Sequence, residues 1–151
     1  MSEEIVYLDS SSIIKRYIKE KGSNLVETLY MKAYSGDIKL SFNLWNIGEI
    51  IGAFNKAKAL KRLDEQAYML SKKRFLLECK RLAKLGALIL VPLKTKLVCE
   101  CWILVEKHNI YQADAIQIVS AKNVGAKEFL TGDKLLHEIA KSEKINSVYI
   151  G

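Results

Sequence analysis

Four carboxylates stand where their surroundings have little structural use for them. Asp9 closes the apolar run Ile5-Val6-Tyr7-Leu8, and Asp133 follows Phe129-Leu130-Thr131-Gly132. Asp114 opens the periodic stretch Ala113-Asp114-Ala115-Ile116-Gln117-Ile118-Val119, and Glu49 interrupts Leu44-Trp45-Asn46-Ile47-Gly48-Glu49-Ile50-Ile51. Brought together, four such acids repel one another and cannot all stay ionised without a hard divalent cation. Their wide spacing along the chain makes the set a tertiary constellation, unlike the local loop of an EF-hand. Asp9, Asp114 and Asp133 also suit helix N-termini, where a carboxylate caps free N–H groups or opposes the helix dipole. Glu49 has no such use in mid-helix among apolar neighbours, and buried carboxylates are rarely left without a cation or partner.

The elements that must position these acids are legible from periodicity. Short apolar runs at Ile5 to Leu8, Ile38 to Phe42, Leu88 to Val91, Glu128 to Thr131 and Ser147 to Ile150 read as strands. Between them, helical spacing recurs at Ile13-Ile14-Tyr17-Ile18, at Leu25 to Ala33, from Asn43 through Leu44, Ile47, Ile51 and Phe54, and from about Leu63 to Leu85. The stripe Leu63, Ala67, Leu70, Phe75, Cys79 and Leu82 is expected to face inward on the longest of these. Further helices are expected over Leu97 to Val105, from Asp114 to Asn123, and after Asp133. Strands alternating with helices predict an α/β fold with a mainly parallel sheet covered on both faces. Ligands of such sheets bind beyond the strands' carboxyl ends, near the point where strand order reverses, and Asp9 and Asp133 both follow strands directly.

Bulk composition sets limits. The 151 residues, half of them apolar, suit one domain over 1–151 with one core. The opening Met1-Ser2-Glu3-Glu4 is acidic where a secretory signal is basic, and the longest apolar stretch is far short of a membrane span, so a cytoplasmic protein with no membrane segment is expected. Cys79, Cys99 and Cys101 form neither a disulfide framework nor a zinc pattern. Charge is concentrated. Between Lys56 and Lys84 lie ten basic and three acidic residues, the entire net excess of +7, while the remainder is balanced. Such a segment steers polyanions, with Lys56, Lys58, Lys61, Arg62, Lys72, Lys73 and Arg74 as candidate contacts; a solvated helical face accounts for the same run equally well. A P-loop is absent, and Asp9 lacks the second acid two residues on that an aspartyl-phosphate enzyme requires.

Four segments together resemble the PIN-domain nucleases, and within them the VapC-type toxins of prokaryotic toxin–antitoxin modules. They are Tyr7-Leu8-Asp9-Ser10-Ser11-Ser12-Ile13-Ile14-Lys15-Arg16-Tyr17, Asn46-Ile47-Gly48-Glu49-Ile50, Ala113-Asp114-Ala115-Ile116-Gln117-Ile118-Val119-Ser120-Ala121 and Leu130-Thr131-Gly132-Asp133-Lys134-Leu135. The resemblance implies a five-stranded parallel sheet in a three-layer α/β/α sandwich, with two long helices between the second and third strands projecting toward nucleic acid or a partner. It implies that Asp9, Glu49, Asp114 and Asp133 are both catalytic and metal-binding, with the Ser11 and Thr131 hydroxyls beside them; Ser11 stands where many relatives carry asparagine. Oxygen ligands of this kind suit Mg²⁺ or Mn²⁺, and one ion, or two about 4 Å apart, activates water against a phosphodiester. The implied activity is cleavage of RNA by a toxin that a cognate antitoxin neutralises, working as a homodimer. Trp45 and Trp102 are expected either at its contacts or in the core. A PIN-like module that binds RNA or protein without cutting is the competing expectation.

Overall fold

Val6, Tyr7 and Leu8 are all fully buried, a continuous apolar run that marks a central parallel strand with both faces covered. The computed structural model describes residues 3–151; Met1 and Ser2, part of the stretch read against a secretory signal, lie outside it. Five strands, β1 (Glu4–Leu8), β2 (Ile38–Asn43), β3 (Leu88–Val91), β4 (Glu128–Thr131) and β5 (Ser147–Tyr149), form one sheet in the order β3-β2-β1-β4-β5. Every pairing is parallel, with Val6 opposite Leu40 on one side and Glu128 on the other. The expected α/β sandwich and its five parallel strands are therefore found.

The helices are α1 (Ser10–Ile13), continued by a 3-10 turn at Ile14–Arg16, then α2 (Ser23–Tyr34), α3 (Trp45–Ala59), α4 (Glu65–Lys84), α5 (Thr95–His108), α6 (Gln112–Val124) and α7 (Lys134–Ser142). The chain steps from β1 to β3 in one direction and then from β3 across to β4 and β5 in the other. Right-handed crossovers consequently lay α2 to α4 on one face and α5 to α7 on the opposite face. Strand order reverses between β1 and β4, so the carboxyl ends of these two strands flank the natural ligand crevice.

Two expected faces hold only in part: Phe54 on α3 and Phe75, Cys79 and Leu82 on α4 are buried as expected, and others are not. The buried line of α3 runs through Asn46, Ile50, Phe54 and Ala57, while Leu44 is exposed. The cause is that Asn46 spends its amide on buried hydrogen bonds, so a polar residue occupies a core position. On α4, Leu70 is 60% exposed and does not face inward. Counting back from the buried Phe75, Cys79 and Leu82 by helical turns reaches Tyr68, whose ring packs on the core, whereas Leu70 lies on the other side with Met69 and Leu77. Phe75 is held edge-on by Tyr17 and Phe54. Beside this cluster Glu78 accepts from the Arg16 guanidinium at 2.9 and 3.0 Å and from the hydroxyls of Tyr17 and Tyr34, both at 2.8 Å. Burial alone would raise the Glu78 pKa; Arg16, then the two tyrosines, outweigh it and hold the carboxyl below its ordinary range.

The three cysteines are free thiols. Neither Trp45, 44% exposed, nor Trp102, 60% exposed, is a core residue. Among the described residues no helix is long and apolar enough to cross a membrane.

Candidate functional site

Asp9, Glu49, Asp114 and Asp133, drawn from four separate segments, line one cavity of about 110 Å³ together with Ser10, Ser11, Ala113, Gln117 and Leu136. Asp9 leaves the carboxyl end of β1 and is 3% exposed. Its side chain caps α1 by accepting from the Ser12 N–H at 2.9 Å. The Ser11 hydroxyl donates to Asp9 Oδ1 at 2.7 Å, and the Thr131 hydroxyl donates to Oδ2. These two hydroxyls then accept from the loop after β4, Ser11 from the Gly132 N–H at 2.7 Å and Thr131 from the Asp133 N–H at 3.0 Å. Asp133 caps α7 through the Leu136 N–H at 3.1 Å. Capping and cleft lining are thus compatible roles, and Asp9 and Asp133 fill both. The backbone packs closely at Gly132: a Cβ there would lie 3.3 Å from Ser11 Oγ and 3.2 Å from Lys15 Cε, so those side chains would have to shift.

Glu49 sits one turn into α3, and its Oε1 accepts from the Ser10 hydroxyl at 2.7 Å. Behind Ser10 a buried amide chain fixes the geometry. Asn46 Nδ2 donates to Ser10 Oγ at 2.9 Å and to Gln117 Oε1 at 2.8 Å, and Gln117 Oε1 also accepts from the Tyr7 hydroxyl at 2.9 Å. Asn46 Oδ1 meanwhile accepts from the Asn43 N–H at 3.0 Å, which ties α3 to the end of β2. Sequence reasoning assigned no role to Ser10, Asn46, Gln117 or Tyr7. The available signal was two amides inside otherwise apolar helical stretches.

Electrostatics distinguish the acids. Burial pushes the Asp9 carboxyl up, opposed by the donors Thr131, Ser11 and Ser12. Burial also raises Asp114, and the charges of Asp133, Glu49 and Asp9 then add to it. Asp114 accepts no hydrogen bond from the described residues, so none of them offsets that repulsion. Among the described residues no three His, Cys, Asp or Glu side chains stand close enough to form a ready-made metal cluster. The donor set still fits a hard divalent cation, because it consists of oxygens only, is fourfold acidic, and contains an acid destabilised by its three neighbours. A larger cavity of about 330 Å³ beside β3 has Glu100 as its single acid and lacks such chemistry.

The seven basic candidates have different surroundings. Lys56, Lys61 and Arg62 are exposed at the far end of α3 and the following turn. Lys58 pairs with Glu65 at 3.3 Å, and its Nζ and that of Lys72 lie 4.2 and 5.5 Å from the Tyr68 ring centroid. Lys72 and Lys73 border the exposed leucines of α4. Arg74 points elsewhere, into a 280 Å³ pocket with Lys15, Arg16 and Lys19, the last three unassigned from sequence. Lys15 itself is buried, its stem packed near Gly132 and its ammonium paired with Glu20 at 3.0 Å.

No family model matches the chain, and no curated protein matches it in sequence. Solved structures do share its fold. VapC20 of Mycobacterium tuberculosis, a sarcin-ricin loop cleaving toxin, superposes with a TM-score of 0.62 at 11% identity over 95% of this chain and 98% of that one. PAE2754 of Pyrobaculum aerophilum gives 0.63 at 17% identity over 98% and 92%. FitAcB of Neisseria gonorrhoeae gives 0.62 at 16% identity over 94% and 95%. At such identities the likeness establishes the fold, which is the PIN-domain, VapC-like one that the four motifs led us to expect.

Proposed function

We propose that this PIN-domain, VapC-like fold serves as a divalent-metal-dependent endoribonuclease, the toxin of a type II toxin–antitoxin pair. One observation carries the reading: four acids separated by up to 124 positions line a single cleft at the strand-order reversal, and Asp114 is raised in part by the other three. In this reading Asp9, Glu49, Asp114 and Asp133 hold one or two Mg²⁺ or Mn²⁺ ions. Bound there, the metal supplies water activation and charge neutralisation at a scissile phosphodiester. The protein's own part is positional. Ser11, Thr131 and the Ser12 N–H keep Asp9 oriented, while Ser10 with Asn46 fixes Glu49. The exposed cations at the end of α3, Lys56, Lys61 and Arg62, attract the substrate backbone. A small antitoxin and a second copy of the chain are the proposed protein partners.

Incubating the purified protein with mixed RNA in Mn²⁺, and in chelator, tests the activity. Cleavage is expected only with metal. Asp9→Asn, Asp114→Asn and Asp133→Asn are each expected to lower it by at least about 100-fold while the circular dichroism spectrum is retained. Undiminished cutting in all three variants, or in chelator, overturns the assignment. A folded wild type that binds RNA in Mn²⁺ and never cuts it favours the non-catalytic module instead. Co-expression with any small protein encoded beside it tests the toxin reading: a stable complex that no longer cuts supports it, and the lack of one counts against it.

A further inference from the structure

We infer that a polar ladder between α3 and α6 sets the gap between Glu49 and Asp114, and so tunes the acidic cleft to a small divalent cation over a larger one. The inference rests on the metal-binding reading of that cleft. Asn43 at the end of β2, then Asn46 and Glu49 in α3, follow one another at intervals of three residues; Ser120, Gln117 and Asp114 do the same in reverse along α6. Residues three apart on a helix share a face, so the two series meet rung by rung. Asn43 Nδ2 donates to Ser120 Oγ at 2.9 Å, and Asn46 Nδ2 donates to Gln117 Oε1 at 2.8 Å. The next rung is Glu49 with Asp114, which line one cavity. Two ionised carboxylates accept only, so this rung is the one that the protein leaves without a hydrogen bond.

The two bonded rungs are rigid. Asn43, Asn46 and Ser120 are fully buried and Gln117 nearly so. Each amide is also held from a further side: Asn43 Oδ1 accepts from the Trp45 N–H at 2.8 Å, Asn46 Oδ1 from the Asn43 N–H at 3.0 Å, and Gln117 Oε1 from the Tyr7 hydroxyl at 2.9 Å. None of these side chains can turn without leaving a buried polar group unpaired, so α3 and α6 keep one spacing where they reach the cleft. Asn43, Asn46 and Ser120 do not line the cleft and act through Glu49 and Asp114, as positioning residues. Among the described residues no three acids stand close enough to form a cluster, so the opening is held from behind by the rungs. Mg²⁺ demands a near-ideal octahedron of oxygens at about 2.0–2.1 Å, whereas Ca²⁺ accepts more ligands, at about 2.3–2.6 Å, in variable arrangements. A fixed gap favours the smaller ion, and a loosened one gives that advantage away.

The probe is Mn²⁺, whose free-ion paramagnetic resonance signal reports its displacement from the protein by Mg²⁺ or by Ca²⁺. Both competitors carry the same charge, so the ratio of their displacing concentrations reads geometry and not field strength. The wild type is expected to yield its Mn²⁺ to Mg²⁺ at the lower concentration. Asn46→Ala is expected to shift the ratio roughly tenfold toward Ca²⁺, and Ser120→Ala, one rung further back, to shift it the same way by less. Ser120→Thr keeps the hydroxyl and is expected to keep the wild-type ratio. Ser41→Ala removes a different buried hydroxyl, bonded to the Ile89 carbonyl at 2.8 Å, and is expected to leave the ratio unchanged. An unchanged ratio in both Asn46→Ala and Ser120→Ala overturns the ladder, and where Asn46→Ala does not fold, Ser120→Ala alone decides. A wild type that prefers Ca²⁺ overturns it as well, as does an equal shift in Ser41→Ala, since general loosening then explains all three. A wild type that holds Mn²⁺ and selects Mg²⁺ but cuts no RNA removes the nuclease reading alone; one that holds no Mn²⁺ removes both.

Discussion

Asp114 is the least supported acid of the cleft. Its carboxyl is raised by burial first and then by Asp133, Glu49 and Asp9, so its ionised form opposes folding: the stability present below its unfolded pKa is lost as pH rises through the raised value. Asp114→Asn is therefore expected to raise the metal-free melting temperature by about 2–4 °C at neutral pH. The same variant should lose the upward shift that Mn²⁺ gives the wild type. Scanning calorimetry with and without Mn²⁺ checks both; a metal-free variant less stable than wild type contradicts the repulsion argument. Thr131→Val, nearly isosteric, removes a donor to Asp9 and the acceptor of the Asp133 N–H. A loss of about 1–3 kcal/mol is expected in urea titration, with an unchanged m-value. The acids were legible in sequence because a carboxylate that closes an apolar strand or interrupts an apolar helix is conspicuous. Ser10, Asn46 and Gln117 were not, because their roles are set by partners 36 to 110 positions away, and a hydroxyl or amide fits a loop or helix surface equally well.

At the scale of elements, the ends of three helices on one face are tied by a single side chain. Glu143, at the C-terminal end of α7 and 9% exposed, accepts from Lys107 at 2.9 Å, His108 at 2.8 Å and Lys122 at 2.9 Å. Lys107 and His108 end α5, and Lys122 lies in the last turn of α6. Lys107 first, then His108, pull the Glu143 carboxyl down to about 2 from 4.5. A depressed carboxylate stabilises the fold above its unfolded pKa, and that contribution is lost as pH falls from 4.5 toward 2. Glu143→Gln should cost about 2 kcal/mol at pH 7 and nearly nothing at pH 2, read from denaturation midpoints across that range. A constant deficit at all pH values contradicts it. Element types were readable because strands such as Ile5 to Leu8 and helices such as Leu97 to Val105 carry unambiguous periods. Faces were read less well: Asn46 replaced an apolar residue on the inner line of α3, and on α4 the surface leucines outnumber those inside, which hides the phase that Phe75, Cys79 and Leu82 set.

For the whole molecule, charge is divided between a basic surface and an acidic cleft. RNA affinity is accordingly expected to fall steeply between low and physiological salt, and reversing Lys56, Lys61 and Arg62 to Glu together should weaken binding by at least about tenfold. The Mn²⁺-induced melting shift should survive those reversals, because none of the three lines the cleft. Equal binding by the reversed variant assigns these cations to a merely solvated face. The parallel sandwich was visible in the alternation of strands and helices, but the order β3-β2-β1-β4-β5 was not, since apolar runs do not declare their neighbours. That order has a temporal consequence. β1 is made first, yet its partner β4 lies about 120 residues later, and the hydroxyl of Thr131 and the carboxylate of Asp133 come with it. A nascent chain still short of residue 128 can build β1, β2 and β3 but cannot close the crevice around Asp9. On the reading proposed above, the capacity to cut arises only after β4 and the turn that carries Asp133 have been synthesised.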